Sequence, residues 1–247
     1  MPVITVSDES GVALVRITKP PANALDRELL REGLRVASEL QEARPDAIVL
    51  TGSGRFFSGG LDLQAVPSLP ASDLREVVDG VNRLVTAWYG FPGPVVTAVN
   101  GHAVAGGLIF ALCGDLRLGV PVAKLGLTEV AVGIPYPVAA IAVAKAEVPR
   151  RLVRRLVLGG ELIAPGEAHA AGMLDEIVDD DALLERSLGA ARGLAAHPRA
   201  AYETVKRQLR GDVLDAIAAK AEHDPLADDW LSDETGDAAA AALRKDR

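Results

Sequence analysis

The sequence predicts an α/β protein with largely parallel sheets, on three observations. Short apolar stretches such as "DAIVLTG" (46–52) and "VVTAVNG" (95–101) suit strands covered on both faces. Between them the hydrophobic period lengthens to that of a helix, so strand and helix alternate through the first two thirds of the chain and parallel pairing with helical crossovers follows. From about residue 180 onward only helical patterns occur.

Each element has its own signal. "VITVSDESGVALVRIT" reads as two strands joined by a turn at "DESG". Asp26 is placed to cap a helix whose apolar stripe is Leu29, Leu30, Gly33, Leu34, Ala37 and Leu40. After the strand in 46–52, "SGRFFSGGLDL" reads as a Gly- and Ser-rich loop leading into a helix. Residues 72–90 read as helical until the prolines of "YGFPGP" stop the pattern. "DLRLGV" reads as a strand and "KLGLTEVAVGIPYP" as a loop with a turn of helix. Residues 139–158 read as helix, and "PGEAHAAGMLDEIV" as a short helix followed by a strand. The helical last third is broken at "HPRA" and near "HDPLADDW", and is expected to pack on a neighbour or over a site. The acidic stretch "HDPLADDWLSDETGD" reads as a solvated surface with Trp230 buried.

Composition narrows the function. The 247 residues are 49% apolar and 24% charged, as in an ordinary globular protein, and the net charge of −8 argues against a nucleic-acid or anionic-membrane surface. No uninterrupted apolar run is long enough to span a membrane, and "MPVITVSDES" lacks the basic start and apolar run of a secretory signal. A cytoplasmic location is therefore expected. Cys113 is the single cysteine, set in an apolar helix and expected to be inert, and the four histidines are too scattered for a helical metal pair. No metal is expected.

Two segments share one design: "VLTG…FFSGGLDL" and "VVTAVNGHAVAGGLIFAL" each run from a buried strand through a Gly-containing loop to a helix. Each would place unpartnered backbone N–H groups at the same sheet edge, and two converging would hold an anionic oxygen. Gly-rich turns are also simply turns, and the G-x-G-x-x-G spacing of a dinucleotide fold is missing from both.

Taken in order, "PPANALD", "GSGRFFSGGLDL", "PGPVVTAVNGHAVAGG", "LTEVAVGI" and "GELIAPGEAHAAGMLDEIV" resemble the motif regions of the crotonase superfamily, the enoyl-CoA hydratases and isomerases. The resemblance covers most of residues 1–180. It implies an α/β crotonase-like (ClpP/crotonase) spiral of β-β-α units with a helical C-terminal region. Residues 1–190 would form the core with an acyl-CoA site, and 191–247 a helical region for oligomerisation or as a lid. It further implies a homo-trimer or a hexamer built as a dimer of trimers. The substrate would be an acyl-CoA, with coenzyme A part of the substrate and no separate cofactor.

Carried over by position, the oxyanion-hole donors would be the N–H groups of Leu61 and Gly106, with Gly60 and Gly107 letting a thioester approach the backbone. Hydratases of this family use two glutamates. One position matches Glu129; the other falls on Ile109, which carries no proton. Hydration needs a water activated on one side and a proton delivered on the other. Moving a double bond from the 3,4 to the 2,3 position needs one base, and family isomerases commonly keep a glutamate at the place of Glu129 alone. Glu129 also suits a plain helix cap; as a base, its apolar setting would raise its pKa.

Other candidates keep two readings. Tyr136 and two prolines replace the family's glycine-rich turn, and Tyr136 could line a reshaped acyl pocket. His102 is a packing residue or a donor to the acyl group. Asp62 suits a helix start better than catalysis. Arg55 meets the CoA nucleotide or is a solvated surface arginine. Three functions follow: an enoyl-CoA isomerase, an enoyl-CoA hydratase of fatty-acid oxidation, and an acyl-CoA-binding paralogue without chemistry.

Overall fold

The computed structural model describes residues 2–62 and 69–226. Strands β1 (Ile4–Glu9) and β2 (Val12–Ile17) form the expected antiparallel hairpin, turning at Ser10 and Gly11. Helix α1 (Arg27–Ala43) begins at Asp26, whose carboxylate accepts from the Leu29 N–H at 3.0 Å. Three two-strand steps follow. β3 (Ala47–Thr51) leads to β4 (Phe56–Ser58) and then α2 (Ala71–Tyr89). β5 (Val95–Val99) leads to β6 (His102–Val104) and α3 (Gly106–Ala111). β7 (Leu116–Gly119) leads to β8 (Leu125–Gly126) and a 3₁₀ turn, Glu129–Val132.

The first strand of each step joins a six-stranded sheet of order β1-β2-β3-β5-β7-β10, parallel except for β1–β2. The second joins a four-stranded sheet, β4-β6-β8-β9. This is the expected spiral of β-β-α units. The remaining elements are α4 (Val138–Glu147), α5 (Arg150–Val153, widening into a π turn at Arg154–Leu158), β9 (Leu162–Ile163), α6 (Pro165–Ala171), β10 (Glu176–Ile177), α7 (Leu183–Ala195) and α8 (Arg199–Ala221). Pro149 divides the single helix expected over 139–158, since its ring and missing N–H break the ladder.

β3 and β5 are buried at every position because helices cover both faces of the large sheet. Val15, Ile48, Leu50 and Val99 face the main core with Leu29, Leu30 and Trp88. Their alternates Leu14, Val49, Val96 and Ala98 face Leu183, Leu188 and Ala191 of α7. The last third was expected to pack on a neighbour or over a site. Within the chain α7 covers the large sheet, residue 190 lies inside that helix, and α8 packs on α4 and α2. Among the described residues no helix is long and apolar enough to cross a membrane.

Candidate active site

The two glycine-rich loops meet. After β4, Leu61 forms a parallel bridge with Leu25: the Leu25 N–H donates to the Gly60 carbonyl (2.7 Å) and the Asp62 N–H to the Leu25 carbonyl (3.2 Å). Alternation along extended chain puts the Leu61 N–H on the opposite edge, away from those bonds. Its freedom thus comes from strand geometry. The helix expected after "GGLDL" lies in part on 63–68, outside the described residues.

In the second loop Ala105 turns β6 into α3 with φ 53° and ψ −133°, a conformation that costs a non-glycine residue of order 1–3 kcal/mol. The turn leaves the Gly106 N–H ahead of the helix's own ladder. Neither amide has a hydrogen-bond partner among the described residues. The loops are in contact: a Cβ on Gly60, whose φ is +81°, would lie 3.0 Å from the Gly106 nitrogen. Gly107 is equally constrained, because a Cβ there would lie 2.1 Å from the Ser58 carbonyl oxygen.

Leu61, Gly106 and Glu129 line one cavity of about 70 Å³, with Gly59, Ala105 and Thr128 beside them. Its apolar walls include Val81 of α2 and Ile134, Pro135, Pro137 and Ala140 around the start of α4. Glu129 opens the 3₁₀ turn and is 6% exposed. Its Oε2 is buried without a hydrogen-bond partner among the described residues. Burial raises the carboxyl to about 7, against opposing influences from its own backbone N–H and the Tyr136 hydroxyl. Among the described lining residues Glu129 is the one titratable group. The segment "LQAVPS" at 63–68 contains none.

The other expected residues fall elsewhere. Ile109 is fully buried in the core on α3, not on the cavity wall. Tyr136 does not line the cavity; its hydroxyl donates to the Leu127 carbonyl at 3.3 Å, and it stands behind Glu129. His102 is also off the wall. Its Nδ1 accepts from the Lys124 N–H (2.9 Å), its ring meets Phe56 edge-on at 5.0 Å, and burial lowers its pKa. Arg55 is exposed and offers its carbonyl to the His102 N–H. Asp62 is half-buried beside the bridge. Cys113 is buried, its thiol pushed up to about 12 by burial. Sequence reasoning missed Thr128 and Ala105; an alanine at positive φ leaves no local signal.

The chain matches the family described as enoyl-CoA hydratase/isomerase over residues 7–227. It is 31% identical over 217 residues to the probable enoyl-CoA hydratase EchA17 of Mycobacterium tuberculosis H37Rv, covering 87% of this chain and 82% of that protein. The apo structure of a Mycobacterium tuberculosis enoyl-CoA isomerase matches with a TM-score of 0.84 at 28% identity, over 90% of this chain and 96% of that one. Human mitochondrial Δ3-Δ2-enoyl-CoA isomerase shares the fold, with a TM-score of 0.93 at 24% identity over 98% and 97% of the two chains.

Proposed function

The chain belongs to the enoyl-CoA hydratase/isomerase family, and from that premise we propose that it isomerises 3-enoyl-CoA to 2-enoyl-CoA with Glu129 as its one acid–base group. The observation carrying this reading is that, among the described residues, the cavity has one titratable side chain, set beside two amides without hydrogen-bond partners. Ionised Glu129 removes a proton from C2 of the thioester. Electrons move into the C1 carbonyl, and the resulting dienolate oxygen accepts from the Leu61 and Gly106 N–H groups. The same carboxyl then returns its proton at C4, and the double bond lies between C2 and C3. A carboxyl near 7 is partly ionised at neutral pH and is a stronger base than an ordinary carboxylate, while the two N–H groups lower the cost of forming the dienolate.

Hydration would need a second group to position water. The family's second glutamate is replaced here by Ile109, closed inside the core. The similarity to EchA17, a probable enoyl-CoA hydratase, favours hydratase as the second reading. Incubation with 3-enoyl-CoA and, separately, 2-enoyl-CoA distinguishes them through the absorbance of the conjugated thioester. Absorbance gained from the first with none lost from the second is expected. Loss from the second alone would replace the proposal with hydration, and binding without turnover of either would leave a non-catalytic paralogue.

A further inference from the structure

Helix α4 starts behind the acyl wall, and its own N-cap, Pro137, provides no side-chain hydrogen bond. Two distant residues satisfy its first amides. The Val138 N–H donates to Asp224 Oδ2 (2.8 Å), and the Ala139 N–H donates to Asn82 Oδ1 (2.9 Å). Asn82 Nδ2 closes the group by donating to the same Asp224 Oδ2 at 2.9 Å. Both side chains are withdrawn from water, Asn82 at 3% and Asp224 at 4% exposure. Asp224 Oδ1 accepts from the Leu226 N–H at 3.0 Å. A carboxylate at the start of a ten-residue helix is electrostatically favoured as well as hydrogen-bonded.

The group's position gives it a function. Asn82 follows Val81, Val138 follows Pro137 and Ala139 precedes Ala140, and those three neighbours all line the cavity. We propose that Asp224 and Asn82 are positioning residues that hold α2 and the start of α4 at the spacing that admits the acyl chain. The segment beyond α8 thereby becomes part of the acyl site. This rests on the assignment of the cavity to an acyl-CoA, but not on which reaction follows. Asp224 lies in the acidic stretch expected to be solvated; its burial corrects that expectation at this position.

The test is calorimetric binding of butyryl-CoA, which is saturated and cannot turn over, compared with free coenzyme A. Asp224→Ala and Asn82→Ala should each weaken butyryl-CoA binding by about tenfold, the scale of a lost helix cap, and leave coenzyme A within about twofold. Asp224→Asn keeps an oxygen for Val138 and Asn82 and should recover most of the affinity, to within about threefold of the wild type. Equal weakening of both ligands, unchanged butyryl-CoA binding, or an asparagine variant as weak as the alanine would overturn the proposal. Should Asp224→Ala fail to fold, Asn82→Ala and Asp224→Asn still decide it. In the unmodified protein the Val138 and Ala139 amides should resist hydrogen exchange, and fast exchange there would also refute it. A wild type that binds butyryl-CoA but leaves 3-enoyl-CoA untouched would sink the isomerase reading alone.

Discussion

Glu129 and Asp115 are both carboxylates withdrawn from water, and the chain treats them in opposite ways. Asp115 Oδ2 accepts from the Val95 N–H (2.8 Å), the Tyr202 hydroxyl (2.9 Å) and Lys206 Nζ (2.7 Å), while Oδ1 faces the Arg210 guanidinium at 3.1 Å. The cations are held in turn: Lys206 donates to the Gly93 carbonyl, and Arg210 to those of Tyr89, Cys113 and Gly114. Burial lowers Lys206 to about 8 even with Asp115 pulling the other way. That cluster fastens α8 to the starts of β5 and β7. Among the described residues Glu129 has no cationic partner, and its Oε2 has no hydrogen bond. A buried charge surrounded by partners stabilises an arrangement of helices, whereas a buried carboxyl left short of partners has a proton it can exchange.

Removing the carboxyl at 129 tests the contrast most severely. Glu129→Gln should lower kcat for isomerisation by about 10²–10⁴-fold, measured at saturating substrate, while the protein stays folded. In the wild type kcat/KM should rise as pH climbs through about 7, because the base must be ionised. Stability should move the other way. The folded value lies above the ordinary 4.5, so the folded chain keeps a proton that the unfolded chain releases between 4.5 and about 7. Glu129's contribution to stability therefore falls across that window, by up to about 3 kcal/mol, and glutamine should remove that contribution to the slope in denaturant titrations at several pH values. Full activity in Glu129→Gln would remove the proposed base.

Asp115→Ala strikes the other member of the pair. It strands Lys206 and Arg210 with their charges buried, and should cost about 3–5 kcal/mol of unfolding free energy in urea. Whatever fraction remains folded should keep its kcat. A stable variant with impaired turnover would erase the distinction between the two carboxylates.

How far this difference could be read from the sequence depends on how local its causes are. β3 and β5 are legible because every residue is buried, and α1 because Asp26 caps an apolar stripe. β4, β6, β8 and β9 have two or three residues each, too few to show alternation; the first three hide within segments that read as loops, and β9 in a stretch that carries no pattern. Glu129, Leu61 and Gly106 were found through an ordered set of motifs. Their meeting depends on the Leu25–Leu61 bridge and on Ala105 at positive φ, neither of which has a local signature. Asp115 finds Tyr202 and Lys206 across 87 and 91 positions, a pairing that no periodicity reveals. Asp224 read as solvated for the same reason. Trp230, expected to be buried, lies outside the described residues.

A smaller change probes the contact between the loops without touching a side chain that titrates. Alanine at Gly60 meets a φ of +81° and would bring its Cβ to 2.9 Å from both the Ala105 Cβ and the Val104 carbonyl oxygen. Separating the loops by even a fraction of an ångström detunes both amides. Gly60→Ala should lower kcat by roughly 10²-fold with a lesser change in affinity for coenzyme A. Unchanged kcat would mean that the two amides do not act together.

The finest adjustment concerns the tyrosine behind the base. Its bond to the Leu127 carbonyl is long at 3.3 Å, and the hydroxyl has a single proton to offer. When Glu129 ionises, the carboxylate becomes the stronger acceptor, so the proton's turn toward it favours ionisation and lowers the carboxyl's pKa. Phenylalanine cannot do this. Tyr136→Phe should therefore move the acidic limb of kcat/KM to higher pH by less than about one unit, since one such bond contributes about 0.5–1.5 kcal/mol net. The plateau at high pH should stay close to the wild type, where the base is fully ionised in both proteins. A limb moving toward lower pH would show that the hydroxyl favours the protonated carboxyl, and a limb that does not move would confine Tyr136 to the Leu127 carbonyl. Glu129 would then be tuned by burial and its own backbone alone, which is the sharpest form of its difference from Asp115.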